Sequence, residues 1–215
     1  MSTFTTVLFD LDGTLTDPGV GITNSVAHAL SYYGIEVEDK TTLYPFIGPP
    51  LAESFMRYFD FSEEKAKRAV DVYREYYAVR GIFENKLYEG VSDTLSHLYD
   101  FGITVALATS KPEVFAKKIL THFGIDRYFT YIGGSELDHK RTDKHEVIEY
   151  VLSNLPGAER EKTLMVGDTR FDIEGAAASS LSSIGVTYGY GIKEELLQAG
   201  AMATVDVPSQ LLQFI

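Results

Sequence analysis

Three short apolar runs, Val7-Leu8-Phe9, Ala106-Leu107-Ala108 and Leu164-Met165-Val166, lead directly into Asp10, Thr109 and Gly167-Asp168. A short, continuous apolar run is the mark of a strand buried on both faces, and such strands belong to parallel sheets covered by helices. The pattern after residue 87 extends this. Helices are predicted over 91–101, 113–123, 143–153 and 171–180, with Gly102 and Gly124 as stops. Strands are predicted over 103–108, 131–132, 163–166, 183–187 and 204–205. Strand–helix alternation predicts an α/β fold: a doubly wound parallel sheet with helices on both faces.

Between the first run and this alternation the texture changes. Ile22, Val26, Ala29, Leu30 and Tyr33 recur at helical spacing before Gly34. Ser62 precedes Glu63 and Glu64, a cap followed by an acidic first turn, and a helix is predicted from there to about residue 80. Ala66, Ala69, Val70, Tyr73 and Tyr77 share one face of it. The tyrosines Tyr73, Tyr76 and Tyr77 read as interior rather than as a stacking platform. No strand is expected in this stretch. The expected organisation is therefore a core of 1–16 and 87–215, interrupted by an all-helical insertion over 17–86.

Charge and cysteine usage narrow the chemistry. With 19 Lys and Arg against 31 Asp and Glu, the formal net charge is −12. Such a chain repels a nucleic-acid backbone, so no nucleic-acid polymer is expected as a partner. It also repels anionic small molecules unless a local cation reverses the field. The absence of cysteine excludes disulfides, thiol nucleophiles and thiolate metal sites. Neither a basic leader followed by an apolar run nor a membrane-length apolar stretch is present, so a soluble cytoplasmic protein is expected. The five histidines, at 28, 97, 122, 139 and 145, show no metal-ligand spacing.

The chemistry concentrates at strand ends. Asp10-Leu11-Asp12-Gly13-Thr14 places two carboxylates on one side of an extended segment, where ligands of parallel sheets bind. Their mutual repulsion calls for a cation or a shared proton. Gly167-Asp168-Thr169-Arg170-Phe171-Asp172 supplies a second pair. Carboxylates from both ends make an oxygen-rich set suited to Mg²⁺. Two readings stay open for that second pair: metal ligation, or Asp168 capping the following helix with Asp172 in its first turn. Thr109 and Ser110 suit a phosphate seat at a helix N-terminus, or Ser110 is an ordinary cap. Lys144 opposes the dipole at its helix start, which suits a charge-neutralising role as well as plain surface placement.

Asp-x-Asp-Gly-Thr, a strand-end Thr-Ser, a Lys and Gly-Asp-x-x-x-Asp occur here in that order, at Asp10/Asp12, Thr109/Ser110, Lys144 and Asp168/Asp172. The set resembles the haloacid dehalogenase superfamily of phosphohydrolases and spans nearly the whole chain. Phe46 to Phe55 and Gly185 to Gly191 are similar to its phosphoglycolate phosphatase-like branch and the neighbouring 5′-nucleotidase-like proteins, which carry a helical cap. The resemblance implies a Rossmann-like core and a Mg²⁺-dependent hydrolase of small phosphorylated metabolites, phosphoglycolate phosphatase-like, with a 5′-nucleotidase as the alternative. It implies Asp10 as nucleophile, Asp12 as acid and base, and Thr109, Ser110 and Lys144 on the phosphoryl group. Asp10, Asp12 (through its carbonyl), Asp168 and Asp172 are the metal residues, the last directly or through water.

The resemblance further implies that the cap closes over the core. Gly48, Pro49 and Pro50 form its tip or a rigid inter-helix turn, with Arg57 nearby. A β-phosphoglucomutase-like enzyme would carry a cap-loop arginine where Leu51 stands, which weakens that reading while Arg57 keeps it open. A dehalogenase would not need Asp12. A non-enzymatic phosphoryl receiver would not need the complete acid, lysine and cap set. The branch's usual Ala-Gly after the last motif is replaced by Ser179-Ser180, and a left-handed Ser180 would cost about 1 kcal/mol relative to glycine.

Overall fold

A computed structural model describes residues 4–137 and 140–215. His139 and the first three residues, read above for metal spacing and a targeting signal, lie outside them. The chain divides into two compact units, Met1–Thr16 with Leu87–Ile215, and Asp17–Lys86. No helix among the described residues is long and apolar enough to cross a membrane.

The first unit is built on strand β1 (Thr6–Phe9). The chain leaves and re-enters it through two-residue strands, β2 (Thr16–Asp17) and β3 (Lys86–Leu87), which the sequence did not suggest. The inserted unit holds α1 (Gly19–Tyr32), α2 (Leu51–Phe59) and α3 (Glu63–Tyr77). Ile22, Val26, Ala29 and Leu30 of α1 are buried, as are Ala66, Ala69, Val70, Tyr73 and Tyr77 of α3. Ser62 caps α3, its hydroxyl accepting from Lys65 N at 3.3 Å. The helix ends at Tyr77, three residues before the predicted stop, and a short 3₁₀ turn follows over Gly81–Phe83. Tyr73 and Tyr77 stack within the unit at a ring separation of 5.3 Å, which is an interior role.

The rest of the first unit runs α4 (Val91–Asp100), β4 (Thr104–Pro112), α5 (Glu113–His122), β5 (Tyr131–Ser135), α6 (Lys144–Ser153), β6 (Thr163–Gly167), α7 (Arg170–Ala178), β7 (Ser182–Val186), α8 (Lys193–Gln198) and β8 (Ala203–Val205). The six long strands pair in parallel in the order β5-β4-β1-β6-β7-β8. Helices cover both faces. Leu8 packs with Val147 and Ile148 of α6 and Ala176 of α7, while Phe9, pointing the other way, meets Val91 and Leu95 of α4.

The order reverses across β1: the chain builds β4 and β5 on one side and then β6, β7 and β8 on the other. Side chains at the carboxyl ends of β1, β4 and β6 therefore face one crevice, where parallel sheets bind ligands. Two sequence expectations fail near that edge. Strand β4 runs on to Pro112, and α5 starts at Glu113 with Pro112 before it. Ser110 thus lies within a strand and does not cap a helix. Ser180 is left-handed, with φ +58°, as its place after α7 requires.

Candidate active site

Asp10 follows β1 and is tied to β6, its N–H donating to Val166 O at 2.9 Å. That bond brings the Asp10 and Asp168 loops side by side. Ligand oxygens of Asp10, Asp168 and Asp172 all lie within 4.8 Å of one another, and all three residues are buried. Among the described residues, one cation answers them. Lys144, the first residue of α6 and only 6% exposed, donates from Nζ to Asp10 Oδ1 at 2.6 Å and to Ala108 O at 3.0 Å. It also forms an ion pair with Asp172 Oδ1 at 2.7 Å. A lysine at a helix start is unfavourable for the dipole, and these two buried carboxylates are the reason it stands there.

The other carboxylate oxygens are unequally used. Asp172 Oδ2 accepts from Thr169 N at 3.0 Å and Thr169 Oγ1 at 2.8 Å. Thr169, not Asp168, precedes α7 as its cap residue. Asp168 Oδ2 accepts from Tyr190 N at 2.8 Å, while its buried Oδ1 has no hydrogen-bond partner. Gly13 is left-handed, with φ +85°, and a side chain there would collide with the Asp168 carboxylate, so only glycine fits this turn.

Asp12 lies apart from this cluster and forms an ion pair with Lys111 of β4. Lys111 was not singled out from the sequence, because β4 was expected to end at Ala108. Its position two residues after Thr109, the same spacing as Asp10 and Asp12, was the available signal. Thr109 is buried, and its Oγ1 accepts from Lys111 N at 3.3 Å. A second residue missed is Gly175 of α7, where a Cβ would come within 2.7 Å of Lys144 Cγ.

Electrostatics follow from this packing. Burial, with Asp172 and Asp12 adding repulsion, outweighs Lys144 and raises the Asp10 carboxyl to about 6. Burial, then Asp172 and Asp10, holds Asp168 well above the usual carboxylate range against the Tyr190 N–H and Lys144. For Lys144, burial pulls downward, but the charges of Asp10 and Asp172 win and hold it above its ordinary value.

Three carboxylates against one ammonium leave a surplus of negative charge in a buried site. The free Asp168 Oδ1 and the all-oxygen donor set fit a hard divalent cation. No histidine among the described residues joins the group. Gly48, Pro49, Pro50 and Arg57 belong to the inserted unit. Gly48 has φ +102°, Pro50 precedes α2, and Arg57 lies in its last turn with the guanidinium 5.5 Å from the Tyr58 ring centre.

The sequence profile of the haloacid dehalogenase-like hydrolases matches residues 7–186. The chain belongs to this family. Among its relatives is a protein of Pseudomonas aeruginosa named 5′-nucleotidase, 47% identical over 88% of this chain and 86% of that one. A Mycobacterium tuberculosis protein named tyrosine-protein kinase PtkA is 40% identical over 86% of this hydrolase, which spans 62% of that longer protein. A phosphoglycolate phosphatase of Colwellia psychrerythraea is 31% identical over 96% and 94%. The crystal structure of a predicted phosphatase from Clostridium acetobutylicum superposes with a TM-score of 0.93 at 48% identity, covering 99% of this hydrolase and 98% of that chain.

Proposed function

We propose that this hydrolase is a Mg²⁺-dependent phosphomonoesterase that passes the phosphoryl group through Asp10. The observation that carries the reading is the buried trio Asp10, Asp168 and Asp172 with the single ammonium of Lys144 between two of them. Asp10, Asp168 and the backbone carbonyl of Asp12 would hold the ion. Asp172 is engaged by Thr169 and Lys144 and serves chiefly to orient that lysine. Bound there, a divalent cation offsets charge on the carboxylates and on the phosphoryl oxygens.

The chain's own groups supply the rest. An Asp10 carboxylate oxygen attacks phosphorus while the ester P–O bond breaks, giving an aspartyl phosphate. Asp12 gives a proton to the departing oxygen, then takes one from the water that attacks the same phosphorus. Inorganic phosphate leaves and the Asp10 carboxylate is restored. Thr109 and Lys144 steady the phosphoryl oxygens during both transfers.

Two substrate classes follow from the relatives: nucleoside 5′-monophosphates and phosphoglycolate. The greater identity to the relative named 5′-nucleotidase supports the first. The test is phosphate release from a panel of nucleoside 5′-monophosphates, phosphoglycolate and sugar phosphates, with Mg²⁺ and with chelator. Release from at least one ester that stops on chelation is expected, and release indifferent to chelation would contradict the reading.

A further inference from the structure

The segment Tyr188 to Gly191 follows β7 and touches two loops that supply ligands for the ion, the turn after β1 and the Asp168 loop after β6. Its start is anchored by Thr187 N, which donates to Val205 O of β8 at 3.0 Å. Tyr190 N donates to Asp168 Oδ2 at 2.8 Å, which occupies one oxygen of that carboxylate and leaves the buried Oδ1 without a partner. The two glycines approach more closely still. A Cβ at Gly189 would collide with Gly13 O and stand 2.5 Å from Asp168 Cβ, and one at Gly191 would collide with Asp168 O. Both positions need glycine because backbone meets backbone there.

The same segment holds the turn after β1. Tyr188 Oη donates to Thr14 O at 3.0 Å, and its ring meets that of Tyr88 edge-on at a centre separation of 5.0 Å. Tyr88 in turn donates from its N–H to Leu15 O at 3.1 Å, so two tyrosines grip successive carbonyls of the turn. Within the turn Gly13 N donates to Thr16 O at 2.8 Å. The peptide between Asp12 and Gly13 is planar and trans, so this bond also sets the direction of the Asp12 carbonyl assigned to the ion. A metal ligand braced through its other atoms is oriented before the ion binds, and losing such a brace typically costs about 10–100-fold in affinity.

We propose that Tyr188 to Gly191 is the positioning segment of the ion site: it fixes the Asp168 carboxylate and the turn bearing Asp12 relative to each other, so that their oxygens meet the divalent cation without rearrangement. The proposal rests on the reading of Asp10, Asp12 and Asp168 as the ligands. It is tested by titrating Mg²⁺ into the chelator-treated full chain and following the melting temperature, which gives an apparent affinity without turnover. The variants are Gly189→Ala, Gly191→Ala and Tyr188→Phe, with Gly185→Ala for comparison. Gly185 lies in β7, where a Cβ would crowd Leu196 of α8 at 2.8 Å rather than the ligand loops. Affinity for Mg²⁺ is expected to fall at least about tenfold in Gly189→Ala and Gly191→Ala and about threefold in Tyr188→Phe. Gly185→Ala is expected to lower the melting temperature of the chelator-treated protein and to keep wild-type affinity. Tyr188→Phe keeps the ring against Tyr88 and decides the matter if the glycine variants do not fold. Wild-type affinity in every variant that folds overturns the proposal, as does an equal loss in Gly185→Ala. A wild-type melting temperature indifferent to Mg²⁺ would instead overturn the ion assignment beneath it.

Discussion

The Lys144 ammonium lies 2.6 Å from Oδ1 of Asp10, a buried pair that closes across 134 residues of sequence. Removing one partner of such a pair strands the other's charge, at a cost of about 3–5 kcal/mol. Lys144→Met keeps the bulk and deletes the charge. Its melting temperature is expected to fall by about 10 °C and its phosphate release to collapse. A melt unchanged from wild type would mean that the pair carries no stability.

Lys111→Ala tests the ion pair with Asp12. Both side chains are largely buried, so some stability should be lost with the pair, while proton transfer loses its organiser. A drop of about 10²-fold in kcat with a near-native circular dichroism spectrum is expected. Wild-type kcat would remove Lys111 from the account.

Gly175→Ala addresses how Lys144 is placed. A methyl group there would lie 2.7 Å from Lys144 Cγ and 2.9 Å from its Cβ. Overpacking of this kind costs about 1–3 kcal/mol, more than the roughly 1 kcal/mol gained in helix propensity. Both stability and kcat should fall, as thermal melts and steady-state rates would record. A more stable and fully active variant would contradict the packing argument.

The legible parts of the fold were those in which one physical signal dominates. Val7-Leu8-Phe9 and Leu164-Met165-Val166 are buried on both faces, so continuous apolarity marked them, and the carboxylates after them follow from strand direction alone. The insertion showed through the spacing of its buried residues, Val26 and Ala69 among them. What escaped depends on three dimensions. Whether Thr109 to Pro112 stays extended is decided by pairing with β5, so Lys111 and the true setting of Ser110 were hidden. Tyr190 N reaches Asp168 across 22 residues, and Gly175 meets Lys144 between two helices; neither contact leaves a local pattern.

Stability without a cation should depend on pH in a definite direction. Burial raises Asp10 to about 6 and holds Asp168 well above the usual carboxylate range, both above their unfolded values. Groups raised on folding stabilise below the unfolded pKa, and that contribution is lost as pH rises through the folded one. Chelator-treated protein should therefore lose stability from about pH 4 toward neutrality, and Mg²⁺ should raise the melting temperature more at about pH 8 than at about pH 5. An equal rise at both pH values would contradict the assignment.

Ser180 is exposed and left-handed, with φ +58°. Ser180→Gly relieves that conformation and should stabilise the protein by about 0.5–1 kcal/mol in urea unfolding without altering turnover. Destabilisation would show that the serine side chain contributes more than its backbone strain costs.

The most direct measurement is phosphate release by Asp10→Asn beside the wild type on the same ester panel with Mg²⁺. An amide keeps the shape of the carboxyl but is a poor nucleophile, so release should vanish from a folded protein. Wild-type rates on any phosphate ester would show that the phosphoryl group never passes through Asp10.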